Sequence, residues 1–277
     1  MGNQFGKIIT LSLFILSSSA SYSEESIQGK NWQLSVKNKE SPFVTSIVHF
    51  LNLSDVHYAD FFNSIGLERV KTRPLKIRIF PNFEQFKKYQ KENSKSRSNS
   101  AFYSLFNLEI VTWEQESIDK MLRYIFHEAS HHYIRQFLPR ENLPRCLDEG
   151  IAEVLEQSTL ENHRINTVGK NIYWQDLVKK AFSQKKQLPF SFFLKLDTPK
   201  FVRYQNSDFP KINIAQCWAQ SYFLFNFNGG EFKPVLRDLL LSSSSPQSVE
   251  EIIEESIPGD GTLELVQRQW MTFLTSM

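Results

Sequence analysis

Along the chain the apolar positions change period several times, and each change marks an element. Trp32–Val36 alternates, the period of two that places successive side chains on opposite faces of a strand. Val44–Ile65 carries Val44, Ile47, Val48, Leu51, Val56, Phe61 and Phe62 at helical spacing, with a break expected near Asn52-Leu53-Ser54. LKIRIF, residues 75–80, alternates again and runs into Pro81, so it reads as a strand; Phe83–Glu92 then reads as a short amphipathic helix. KENSKSRSNS, residues 91–100, is polar and of low complexity, the composition of a mobile surface loop. AFYSLFNLEIVTW, residues 101–113, is aromatic and β-branched and reads as a hairpin whose second strand is Leu108–Trp113.

The second half of the chain is helical in pattern. One helix is expected from about Ser117 to Leu138, stopped by Pro139, and after the loop PRENLPRCLD another from about Glu149 to Gln157. From Trp174 to Met277 the segments are again mostly helical. Asn213–Phe227 is the most apolar, followed by stretches near Val235–Leu241, Val249–Ser256 and Leu263–Leu274. The predicted class is α+β: a β-rich N-terminal lobe to about residue 113, a helical pair over about 117–157 and a helical C-terminal lobe from about 174 to 277.

The first 23 residues stand apart. Lys7 precedes an apolar run from Ile8 to Leu16, and small residues follow around Ser18-Ser19-Ala20 and Ser21-Tyr22-Ser23. That order reads as a secretory signal peptide, with the mature chain starting near Ala20–Glu24 and bound for the periplasm or the medium. The apolar run is too short to span a bilayer, which takes ~20 residues, so no stable membrane insertion is expected after its removal.

Composition narrows this little. With 277 residues, 41% hydrophobic and 22% charged, the chain is an ordinary globular one, and a net charge of +2 without a basic stripe gives no reason to expect nucleic acid. The cysteines, Cys146 and Cys217, allow one disulfide in an oxidising compartment or two buried thiols, and the sequence leaves both open.

The chemistry lies in IFHEASHHYIRQF, residues 125–137. His127 and His131 are spaced i, i+4 and so share one face of a helix, where two imidazole nitrogens can meet one zinc ion at ~2.0–2.1 Å. Glu128 sits about 100° further round the axis, beside the ion rather than on it. A catalytic zinc takes three protein ligands and keeps a fourth position open. Glu149 lies 18 positions after His131, far enough for the chain to turn at Pro139 and return antiparallel. Glu153, one turn on, shares its face and is placed to accept a hydrogen bond from a ligand histidine. Gly150 and Ala152 are small, as two closely approaching helices require. The plainer reading of this stretch is a solvated acidic helix start capped by Asp148.

HEASH followed by LDEGIAE resembles the gluzincin group of zinc metallopeptidases, and most of all the peptidase-MA-like bacterial proteins, often exported. LKIRIF with FEQFKKY, AFYSLFNLEIV, AQCWAQSYFLFNF and QRQWMTFL fit the same layout. The resemblance implies a zincin-like fold with one catalytic Zn2+ held by His127, His131 and Glu149. It implies Glu128 as general base and later proton donor, Glu153 as support for a ligand histidine, and a peptide or protein as substrate. Many relatives have Trp where this chain has Cys146, an anchor that a Cys146–Cys217 bridge could replace. The resemblance also makes Leu108–Thr112 the edge strand over the cleft, with Tyr103, Tyr204, Tyr222 and His132 as candidate oxyanion donors. Two rival readings are a non-catalytic zincin-fold binding or envelope-assembly protein, and a structural zinc closed by a Cys146 thiolate.

Overall fold

The computed structural model describes residues 24–138, 143–161, 164–167, 169–204, 208–242, 247–257 and 261–277. The expected signal peptide, Pro139 and His163 lie outside them. The protein is α+β. In chain order its elements are β1 (Glu25–Gln28), β2 (Trp32–Val36), α1 (Pro42–Asn63), β3 (Leu75–Phe80), α2 (Phe83–Asn93), β4 (Ala101–Ser104), β5 (Glu109–Trp113), α3 (Ile118–Phe137) and α4 (Arg145–Leu155). There follow β6 (Ser158–Glu161), β7 (Arg164–Thr167), α5 (Ile172–Ser183), α6 (Thr198–Arg203), α7 (Ile212–Asn226), α8 (Lys233–Leu241), α9 (Val249–Ser256) and α10 (Leu263–Ser276).

The first five strands form one sheet in the order β1-β2-β3-β5-β4. β2, β3 and β5 run parallel, and β1 and β4 flank them antiparallel. Leu34, Ile77, Ile110 and Tyr103 stand in register across one face, and the first three are fully buried in the main core. On the other face Phe86 of α2 packs with Phe80, Phe102 and Val111 in a separate cluster. The edges of the sheet are therefore β1 and β4. Leu108–Thr112 is not an edge, because β5 pairs on both sides; hydrophobic alternation predicts strands but not their order.

Two other expectations change. α1 has no break at Asn52-Leu53-Ser54: the buried Ser54 hydroxyl donates back to the Leu51 carbonyl and meets Tyr133 OH at 2.9 Å, so it is satisfied within a continuous helix. Residues 94–100 are not a loose loop. Ser94, Ser96 and Ser98 accept in turn from the backbone N–H of Ser96, Ser98 and Ser100, a ladder of serine turns. Gln90, Trp113 and Thr112 bind the carbonyls of Ser98, Asn99 and Ser100, strapping the segment to the sheet.

α3 begins at an N-cap whose Ser117 side chain accepts from the Lys120 N–H. α4 begins at Arg145, four positions before the expected start, so Asp148 is a helical residue one turn in and not a cap. Between α4 and α7 the approach is very close: a Cβ on Gly150 would lie 2.3 Å from the Cys217 carbonyl oxygen. Cys146 and Cys217 are joined as a disulfide across the same interface. Among the described residues, no helix is long and apolar enough to cross a membrane.

Candidate metal centre

α3 runs between the sheet edge and α4, so its two sides do different work. On the sheet side His132 donates from Nε2 to the Arg73 carbonyl, 3.1 Å, which leaves Nδ1 to accept from Tyr103 OH, 3.1 Å. Burial holds this imidazole down to about 4, so it stays neutral. His132 is a tie between helix and sheet and not a metal ligand.

On the other side, His127 and His131 face α4. His127 donates from Nδ1 to Glu156, 3.2 Å, and His131 from Nδ1 to Asp148, 2.7 Å. Both bonds orient the rings so that each Nε2 points at one place. The Glu149 carboxylate lies there, 3.5 Å from the His127 Nε2 and 3.9 Å from the His131 Nε2. One donor atom from each of the three lies within 4.8 Å of the others. Two donors on one tetrahedral zinc are ~3.3 Å apart, so the trio would close on an ion by contracting, its widest pair by up to about 1.5 Å. The donor set fits the metal that the sequence led us to expect.

Charge around the trio is dense. The Arg135 guanidinium, itself buried, binds Asp148 at 3.0 Å, and Arg145 pairs with both Asp148 and Glu149. Burial alone would raise the Glu149 carboxyl, but His127, Arg145 and His131 outweigh it and bring it down to about 2. Burial disfavours the His127 imidazolium, yet Glu149, Glu156, Glu153 and Glu128 overcome this and lift its pKa well above the ordinary value. Glu128 is half-buried and its carboxyl is shifted upward, chiefly by desolvation, while the Tyr103 backbone N–H donates to it from β4. It lines the same cleft of 610 Å3 as His127, His131 and Glu149.

Some expected roles move. Glu153 comes no closer than 3.9 Å to His127 Nδ1; the hydrogen bond belongs to Glu156, and the Trp174 indole donates to Glu153 at 2.6 Å. Glu149, Glu153 and Glu156 are spaced i, i+4, i+7, so the sequence carried a signal for Glu156. Arg135 and Asp148 carried one too, at i+4 from His131 and directly before Glu149. Cys146 offers no thiolate, since its sulfur is bonded to Cys217. Among the oxyanion candidates only Tyr103 lines the cleft. Tyr204 packs on Phe192 and Phe193, and Tyr222 stacks on Trp218.

Compared with known proteins, the chain matches no family model, and no curated protein matches it either.

Proposed function

We propose that this protein is an exported zinc-dependent metallopeptidase of gluzincin type, with a zincin-like architecture in which edge strand β4 borders the catalytic cleft. The observation that carries the reading is the convergence of His127, His131 and Glu149 at the foot of a cleft that Glu128 also lines. When bound there, zinc would supply Lewis-acid polarisation of a carbonyl and acidify water. Glu128 takes the proton of the attacking water and returns it to the leaving amine. Asp148 and Glu156 hold the two imidazoles in the tautomer that ligation needs, and Arg135 holds Asp148. The Cys146–Cys217 disulfide supports the exported location, since such bonds persist in oxidising compartments.

The test is cleavage of an unbiased peptide mixture, read by mass spectrometry, by wild type and Glu128→Gln with zinc content measured in both. Cleavage by wild type that disappears in the variant, with zinc retained, is the expected result. Zinc in both with no cleavage by either would favour a binding protein. Absence of zinc from both would refute the metal site.

A further inference from the structure

The cleft has two unlike ends. β4 carries Tyr103 against Glu128 and lies along its length; before β4 comes the serine strap and after it the hairpin tip. Lys95 and Arg97 of the strap line the cleft, and so does Leu105, directly after β4. Leu105 is 56% exposed, so that end presents an apolar side chain.

The cations in this cleft differ in availability. Arg135 and Arg145 are already bound to Asp148 and Glu149. Lys95 and Arg97 are exposed, and neither has an acidic partner among the described residues. Their placement is not that of a loose polar loop. The Ser94, Ser96 and Ser98 hydroxyls turn inward to form the ladder, and the residues that alternate with them, Lys95, Arg97 and Asn99, are exposed. The strap's carbonyls are fastened to α2 and β5, which fixes two positive charges at one end of the substrate path.

We infer that Lys95 and Arg97 make this a cleft for acidic peptides, reading Asp or Glu side chains on one flank of the scissile bond. This rests on the peptidase reading above. The strap ends at Ser100, directly before β4, and Arg97 and Lys95 stand six and eight positions before the Tyr103 that meets Glu128. The acidic side chain is therefore read away from the cut, on the flank that meets the strap. The opposite flank meets Leu105 and takes an apolar residue.

The experiment compares zinc-loaded wild type with K95E/R97E and with the charge-conserving K95R/R97K, on a peptide mixture and on matched acidic, neutral and basic peptides. Binding of the same peptides is followed by fluorescence anisotropy, with Glu128→Gln in place of wild type. The expected result is enrichment of Asp and Glu on one side of the cut, and a loss of about tenfold in kcat/KM on acidic peptides in K95E/R97E, carried mainly by KM. The preference should survive in K95R/R97K and weaken at 1 M salt, where the Debye length falls to ~3 Å. Cleavage without acidic enrichment, or enrichment that persists in K95E/R97E, overturns the inference and leaves the peptidase standing. No cleavage, but binding of acidic peptides that K95E/R97E abolishes, sinks the peptidase and keeps the acidic-peptide site. Failure to bind acidic peptides above basic ones overturns it.

Discussion

Gly150→Ala separates a close-packed helix crossing from an ordinary helical glycine by the sign of its effect. In an open helix this change stabilises, because Ala is better than Gly by ~0.8–1.0 kcal/mol. Here the new Cβ would lie 2.3 Å from the Cys217 carbonyl oxygen, 2.4 Å from Ser221 Oγ and 2.8 Å from the Cys217 carbonyl carbon. Two of these three are backbone atoms of α7, so no rotamer change removes them. The helices must part until the closest contact exceeds 3.0 Å, a shift of at least 0.7 Å. The Cys146–Cys217 disulfide, which crosses the same interface, resists that separation. Overpacking costs ~1–3 kcal/mol, and contacts with backbone atoms that no rotamer change relieves put this one at ~2–3 kcal/mol, so about 1–2 kcal/mol of destabilisation remains after the propensity gain. For a chain of this size each kcal/mol moves Tm by about 2–4 °C. Glu149 is the neighbouring residue, so displacement of α4 should also weaken the zinc binding proposed above. Thermal melts and zinc competition against a chelating indicator measure both. A variant as stable as wild type, or more so, would refute the account of this crossing.

Two further outcomes follow from other parts of the fold. Replacing Cys146 and Cys217 together with Ser should lower stability by about 4 kcal/mol, since the bond closes a loop with a sequence separation of 71 residues; urea unfolding checks it, and coincident curves for the oxidised and reduced wild type would contradict it. His57 is held down to about 4 by burial, against an opposing pull from Asp60 and the Ile165 backbone. Above pH 6.5 the ring is neutral folded or unfolded; as the pH falls from 6.5 towards 4 the unfolded chain takes up a proton that the folded one refuses. His57 should therefore account for about 2 kcal/mol of the stability lost between pH 7 and pH 4.5, and His57→Gln should lose that much less than wild type. Equal losses in the two proteins would remove His57 as the cause.

The parts of the site that the sequence shows are those set by helical periodicity alone. His127, Glu128 and His131 need only an α-helix to be correctly related, and Glu149 needs only a second helix returning beside it. Their supports depend on where that second helix begins. Its start carries no side-chain cap, only Pro144, so the pattern placed the boundary at Glu149 and made Asp148 a cap. With the helix beginning at Arg145, Asp148 turns inward to His131 and Arg135. The edge strand was misplaced for a related reason: alternation reports that a segment is extended, whereas strand order is decided by which neighbours bury which face. The strap was misread because its information is in hydrogen bonds that composition does not display. Ser at every second position is a ladder signal only when Oγ-to-N–H bonds two residues on are considered.

Charge gives a further reason to expect a cation at the centre. Glu128, Asp148, Glu149, Glu153 and Glu156 crowd around His127 and His131, and Asp148, Glu149 and Glu153 are buried. Two guanidinium groups answer them, Arg135 and Arg145, and the His127 imidazole, whose pKa they lift, adds a third positive charge when protonated. The cluster still holds more acidic than basic groups, and a buried carboxylate without counter-charge costs several kcal/mol. The Trp174 indole satisfies one Glu153 oxygen with a neutral hydrogen bond and adds no charge. On the metallopeptidase reading proposed above, a divalent ion between His127, His131 and Glu149 would replace the His127 proton and add positive charge where the two Nε2 atoms face a carboxylate, and the surrounding carboxylates would orient the imidazoles around it.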